Sequence, residues 1–262
     1  MSGLPVRPKR SLGQHFLVDR NILGVIERQA ELASEDVVLE VGAGLGVLTD
    51  YLAQRVGLVH AVEVDRSLEP HLLERVGDAG NVRLVFGDAM SFEAADFDPS
   101  PTKLVSNLPY SIATPVIMES LAGLPTIRRW VVMVQREVAD RLLARPETRD
   151  YGAVSVLVQL TTERADMHLV ARTCFQPPPR VDSALVALTR TRQWGPGHAW
   201  VKEVVQAAFL HRRKTLPNSL ELAGVATRSA VTRALADLGR SPRDRAEVLV
   251  PAEFLALAEA LA

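Results

Sequence analysis

Five apolar runs, alternating with stretches of helical spacing, do most to limit how this chain can fold. The first is Val37-Val38-Leu39-Glu40-Val41; the others occupy residues 59–64, 82–86, 104–106 and 130–134. Each is short and built mainly of Val and Leu, the pattern of buried strands. Between the first two, Gly42-Ala43-Gly44-Leu45-Gly46 forms a turn, and the helix after it carries Leu48, Tyr51 and Leu52 on its inner face. Asp19 can cap an earlier helix that runs to about residue 33, with Ile22, Leu23, Ile26 and Ala30 on one face. Residues 68–76 are expected to form a third helix, with Asp65 before it as a capping residue. Strands that alternate with helices pair as a parallel sheet covered on both faces. The expected fold class is α/β, doubly wound.

The pattern changes beyond the fifth run. Residues 154–161 fit a helix or a strand, and their apolar density does not decide. Residues 165–170 and 184–189 read as strands that could form an antiparallel edge, and Pro177-Pro178-Pro179 between them makes a stiff extended bridge. Residues 193–197, with Gly195 and Pro196, look like a linker. From Ala199 onward the pattern is helical. A boundary is expected near residue 194, with a larger domain over 1–194 and a small helical domain over 195–262.

Composition narrows the function classes. Net charge is −1, from 30 basic and 31 acidic residues, which argues against a chain coated in positive charge. The basic residues are uneven, however: Arg7, Lys9 and Arg10 stand in an acid-free N-terminal stretch, and His211-Arg212-Arg213-Lys214-Thr215 is also locally basic. A small patch can bind phosphate even on a neutral chain. The single cysteine, Cys174, excludes an internal disulfide, has no metal-ligand partners at suitable spacing, and reads as a buried apolar residue. The N-terminus lacks the apolar core of a signal peptide, and no run approaches the ~18 residues needed to cross a bilayer. A cytosolic, soluble monomer without a metal is the expectation.

Two motifs carry chemistry. Asn107-Leu108-Pro109-Tyr110 follows the fourth strand, at the end where ligands of open α/β sheets gather. An Asn amide suits the exocyclic amine of adenine, Pro109 stiffens the turn, and Tyr110 offers a flat face for an extruded base. The second motif is the turn of Gly42, Gly44 and Gly46, which brings backbone N–H groups and a helix N-terminus to a ligand. Its spacing departs from a dinucleotide fingerprint, because Val47 stands where the third glycine would be, and this disfavours an NAD oxidoreductase. Glu40, Glu63 and Asp88 end three consecutive strands. Glu63, about 20 residues after the turn, stands where an acid takes ribose hydroxyls. Three acids on one rim point to an adenosine carrying positive charge, and S-adenosylmethionine fits.

With these residues in place, the chain resembles the ribosomal RNA adenine N6-dimethyltransferases, most closely the bacterial small-subunit type linked to kasugamycin sensitivity. Ser11-Leu12-Gly13-Gln14-His15-Phe16-Leu17 is similar to the family's N-terminal cofactor-lid motif. Residues 175–183, from Phe175 through the triple proline to Ser183, are similar to its post-catalytic motif, and residues 209–220 to its C-terminal motif. The resemblance implies a Rossmann-like methyltransferase sheet with a C-terminal RNA-recognition domain. It implies cofactor contacts at His15, Leu17, Gly42, Glu63, Asp88 and Asn107. It also implies dimethylation of two adjacent adenines near the 3′ end of small-subunit RNA, coupled to ribosome biogenesis. His15 and Ser111 stand where Asn is frequent in the family, and Pro217 where a basic residue is frequent.

The expected mechanism needs no metal, covalent nucleophile or strong base. Asn107 and the Leu108 carbonyl accept from the adenine amine, Tyr110 stacks on the base, and Phe175 covers its other face unless it serves only the core. Arg212, Arg213 and Lys214 are expected to contact phosphates of small-subunit RNA or its precursor particle. The rivals are a large-subunit adenine methyltransferase of the macrolide-resistance type and an assembly factor whose methylation is secondary. A DNA adenine methyltransferase is disfavoured by the lack of a target-recognition insert.

Overall fold

The computed structural model describes residues 4–9 and 12–262. In chain order the elements are β1 (Phe16–Leu17), α1 (Arg20–Ala30), β2 (Val37–Val41), α2 (Val47–Ala53), β3 (Leu58–Glu63), α3 (Glu69–Val76), β4 (Val82–Phe86), β5 (Lys103–Asn107), α4 (Ala113–Gly123), β6 (Arg129–Gln135), α5 (Arg136–Leu142), α6 (Ala153–Gln159), β7 (Thr162–Val170), β8 (Phe175–Gln176), β9 (Ser183–Arg190), α7 (His198–Leu210), α8 (Leu216–Leu222), α9 (Arg228–Asp237) and α10 (Pro251–Ala260).

The main sheet has seven strands in the order β4-β3-β2-β5-β6-β9-β7. From β4 through β6 all pairs are parallel, with registers such as Val41↔Val62 and Asn107↔Met133. The chain builds outward from β2 through β3 to β4, then returns beside β2 as β5 and builds the other way. The order therefore reverses between β2 and β5, and a crevice opens beyond their carboxyl ends. Gly42 follows β2 and Asn107 ends β5, so the topology brings the two sequence motifs to one point.

The late strands are arranged differently from a simple added edge. β9 pairs antiparallel with β6, from Arg129↔Thr189 to Gln135↔Ser183, and β7 lies outside it. Residues 184–188 are buried, so β9 reads as a central strand and only β7 occupies the edge. Under the sheet, Trp130 is fully buried, its indole N–H donates to Ser120 Oγ (2.9 Å), and the Arg190 guanidinium lies 4.7 Å from the ring centroid. Removing a buried aromatic of this kind costs about 3–5 kcal/mol.

Residue contacts divide the chain into two units: Met1–Ala139 with Glu163–Arg190, and Asp140–Thr162 with Thr191–Ala262. A single cut near residue 194 therefore omits the segment 140–162, which belongs with the later helices because α6 packs against α7 and α10. The ambiguous stretch 154–161 is helical over most of its length. In this second unit the buried Tyr151 donates to the Leu249 carbonyl (2.8 Å), and Phe209 packs between Tyr151 and Phe254.

Candidate active site

The glycine turn is shaped by close approach as well as by conformation. Gly42 has φ +84°, and a Cβ there would lie 3.0 Å from Pro109 Cδ. The β2–α2 turn and the Asn-Leu-Pro-Tyr turn therefore touch at a position where a side chain would be both strained and tightly crowded. Gly44, with φ +60°, lies under the ring of Phe16, and its N–H donates to Glu63 Oε2 (2.8 Å).

Asn107 ends β5 with its side-chain orientation set by a hydrogen bond. Its Nδ2 donates to the His15 carbonyl (3.1 Å). The amide oxygen is left without an internal partner among the described residues, and it is the atom available to accept from a substrate. The Leu108 N–H donates to the Met133 carbonyl (3.1 Å), continuing the β5–β6 ladder one step beyond the strand. Tyr110 shares a hydrogen bond with Ser183 Oγ, and burial raises the phenol pKa, partly opposed by Ser183.

The N-terminal segment forms a wall of the same cleft. Phe16 and Leu17 pair with Gln176 and Phe175 in a separate two-stranded sheet, and His15 Nδ1 donates to the Pro177 carbonyl (2.8 Å). Lys9 Nζ and Gln14 Nε2 reach the two oxygens of Asp65 at 2.6 and 2.8 Å. Burial pushes the Asp65 carboxyl up, but hydrogen bonds from Lys9, Ser67 and Gln14 outweigh it and hold the group at about 2. Asp65, expected only as a cap for the next turn, also fastens this wall. Arg10 and Ser11 lie outside the described residues.

Two carboxylates line the cleft. Glu63 accepts from the N–H groups of Gly44 and Asp65; burial nonetheless raises its pKa. Glu40 is 1% exposed, and its Oε2 has no hydrogen-bond partner. Burial pushes its carboxyl to about 8; the Thr49 hydroxyl offsets only part of this, and the Glu63 charge adds to it. An orphaned carboxyl oxygen facing a cleft fits a cationic ligand group.

Glu40 also makes a stability prediction. The folded chain keeps its proton to about pH 8, whereas the unfolded chain releases it near 4.5. The unfolded state thus binds fewer protons in that window, and stability falls as pH rises through it. Thermal melts of the ligand-free protein should show the midpoint declining over this range, with a flatter profile in Glu40→Gln. An unchanged slope in the variant would remove Glu40 as the cause.

The cleft is lined by His15, Leu17, Glu40, Gly42, Gly44, Glu63, Asn107, Leu108, Pro109 and Tyr110, so the structure gathers most of the residues singled out from sequence. Asp88 does not line it: it is exposed after β4, and its Oδ1 caps the next turn by accepting from the Met90 N–H (2.9 Å). Phe175 is also outside the lining. It is 3% exposed within the hydrophobic core, the rival role considered for it, because pairing with Leu17 turns its side chain inward. Cys174 is half-buried rather than buried, with Sγ 3.5 Å from Asp19 Oδ2. Leu12, Gly13 and Gln14 line the cleft through short irregular structure that leaves no periodic signal.

A family model described as "Ribosomal RNA adenine dimethylase" matches residues 6–259. The chain belongs to the ribosomal RNA adenine dimethylase family. It is 47% identical to the ribosomal RNA small subunit methyltransferase A of Rubrobacter xylanophilus, over 98% of this chain and 96% of that protein. It is 45% identical to the protein of the same name from Moorella thermoacetica, over 97% and 92%. Among solved structures it resembles a dimethyladenosine transferase from Plasmodium falciparum (TM-score 0.80, 25% identity, 93% and 96% covered). It also resembles the 23S rRNA methyltransferase ErmE (TM-score 0.69, 29% identity, 94% and 99% covered). This dimethylase is a methyltransferase enzyme, and S-adenosylmethionine is its methyl donor. The cleft fits that group through its open glycine turn, its ribose-type acid and its unpartnered buried carboxyl.

Proposed function

We propose that this chain dimethylates the N6 amines of two adjacent adenines near the 3′ end of small-subunit ribosomal RNA, as a monomer in the cytoplasm and in the course of ribosome assembly. The observation that carries the chemistry is the Asn107 amide, locked by the His15 carbonyl with Oδ1 outward beside the glycine turn. The small-subunit target is supported by the names of the relatives that match nearly full length.

Bound S-adenosylmethionine supplies a methyl group activated by its sulfonium. The chain's own residues then have to hold it and prepare the nucleophile. Glu63 has lone pairs beyond those used by Gly44 and Asp65, so it can accept from ribose hydroxyls without releasing the turn. Asp88 has a second oxygen to accept from the cofactor's adenine amine. The N–H of Gly42 is spent on the Val62 carbonyl (2.8 Å), so Gly42 acts through the space it leaves. His15 and Leu17 close the cleft from the lid side. Asn107 Oδ1 and the Leu108 carbonyl accept from the target amine, which favours a pyramidal nitrogen whose lone pair is less delocalised into the ring. Tyr110 stacks on the extruded base, and Pro109 keeps this face in place.

In the helical unit, Arg213 and Lys214 are exposed at the turn after α7. Arg212, though also exposed, is tied down: its Nη2 donates to the carbonyls of Arg149 (3.1 Å) and Tyr151 (2.9 Å) and lies 3.7 Å from Glu247. Arg213 and Lys214 are thus the better phosphate contacts, with Arg212 bracing the loop beside them. Neutralising both should weaken small-subunit RNA binding, reduce the salt slope by about 2, and leave cofactor affinity unchanged. An unaltered slope would return both residues to a solvated helix end. The function itself is tested by incubating the protein with labelled cofactor and unmethylated small or large subunits, followed by mass mapping. Two adjacent dimethyladenines in the small subunit are expected; label confined to the large subunit would overturn the assignment.

A further inference from the structure

We infer that Ser183 is a positioning residue for Tyr110: its buried hydroxyl holds the phenol oxygen and so sets the plane of the ring on which the target base stacks. The inference rests on the reading of Tyr110 as a stacking surface. Ser183 opens β9, stands in register with Gln135 of β6, and is 0% exposed. The antiparallel insertion of β9 beside β6 carries it from 73 residues away to within hydrogen-bond distance of the phenol, at 2.5 Å.

Tyr110 is held at three places. Its backbone follows the rigid Pro109 turn, closed by the Ile112 N–H donating to the Pro109 carbonyl (3.1 Å). One flank of its ring lies by the His15 imidazole, with centroids 5.6 Å apart and planes inclined by 31°. Its oxygen is tied to Ser183. The first two leave the ring free to pivot about its side-chain torsions; the third removes that freedom. It also gives the half-buried phenol a protein partner.

This arrangement makes an asymmetric prediction. With Ala at 183 the phenol loses its partner, and a half-buried hydroxyl is drawn toward water, turning the ring with it. With Phe at 110 no hydroxyl needs a partner, and an apolar edge tolerates Ala beside it. Removing one half of a buried polar pair is costly, whereas replacing both by apolar groups is nearly neutral.

The test uses the full chain, S-adenosylmethionine and unmethylated small subunits, with turnover, cofactor affinity by calorimetry and thermal midpoint read for each variant. Ser183→Ala should lower kcat about tenfold through the misplaced ring, with cofactor affinity unchanged. Tyr110→Phe should lose less, and adding Ser183→Ala to it should change kcat by less than about twofold. Ser183→Thr keeps the hydroxyl and should recover most of the loss. Should the Ala variant not fold, Ser183→Cys, which keeps the volume and weakens the donor, supplies the same comparison. Full turnover in Ser183→Ala, or an equal loss from it in the Tyr110→Phe background, overturns the inference and leaves Ser183 as a packing residue. A wild-type chain that deposits no methyl on small subunits overturns the underlying reading instead.

Discussion

Replacing Asn107 with Ala should cut turnover by about 10²-fold or more, the scale of losing one preorganised polar group at a reacting centre. Cofactor affinity should fall far less. The glycine turn, Glu40 and Glu63 do not depend on the amide, but the His15 carbonyl does, so a modest weakening through the lid segment is expected. Asn107→Asp separates the two duties of the side chain. It keeps an acceptor for the amine and sets a second acceptor against the His15 carbonyl, where the native amide donates. It should therefore loosen residues 12–17, measurable as faster amide exchange there. Calorimetry and single-turnover rates read both effects, and full turnover in Asn107→Ala would remove the residue from the chemistry.

Gly42→Ala should damage both cofactor binding and turnover. Alanine at φ +84° carries a backbone penalty of roughly 1–2 kcal/mol. The larger effect is steric, since the new Cβ would sit 3.0 Å from Cδ and 3.1 Å from Cγ of Pro109. A proline ring cannot swing aside as a long flexible side chain can, so either the glycine turn or the clamp has to move. The contact calls for a shift of a few tenths of an ångström, and since about 1 Å at a reacting centre costs about 10²-fold in rate, a several-fold loss of turnover is expected. Gly24 in α1 is the control, because its added Cβ would meet only Arg28 Nη1 at an ordinary 3.6 Å. Gly24→Ala should leave turnover intact and stabilise the helix by about 0.5–1 kcal/mol. Equal behaviour of the two variants would mean that the contact between the turns carries no function.

Much of this arrangement was legible from residues alone, for a physical reason. The parallel strands β2, β3, β5 and β6 are largely buried and the edge strand β4 half-buried, so they appear as short Val- and Leu-rich runs that locate themselves to within a residue or so. The motifs at their carboxyl ends inherit that accuracy, and Gly42, Glu63 and Asn107 meet where the strand order reverses. What escaped has no local signature. β1 and β8 are two residues long, too short for any periodicity, yet their pairing places His15 over Asn107 and turns Phe175 into the core. The insertion of β9 next to β6 is a long-range choice, and the importance of Ser183 appears only once it is made. The basic run at 212–214 looks uniform in sequence and is exposed throughout, but the Arg149 and Tyr151 carbonyls hold the Arg212 guanidinium. Asp88 reads from sequence as one of three acids on one rim; that its Oδ1 also caps the turn after β4 has no signature in the pattern.

The central claim is that Asn107 Oδ1 and the Leu108 carbonyl grip the target amine opposite the donor's sulfonium. A crystal of the protein soaked with S-adenosylmethionine tests it most directly. The claim predicts the sulfonium methyl pointing at the space between those two oxygens, with the Asn107 amide still donating to His15. A methyl directed away from that space, or a rotated amide presenting Nδ2 to it, would contradict the account.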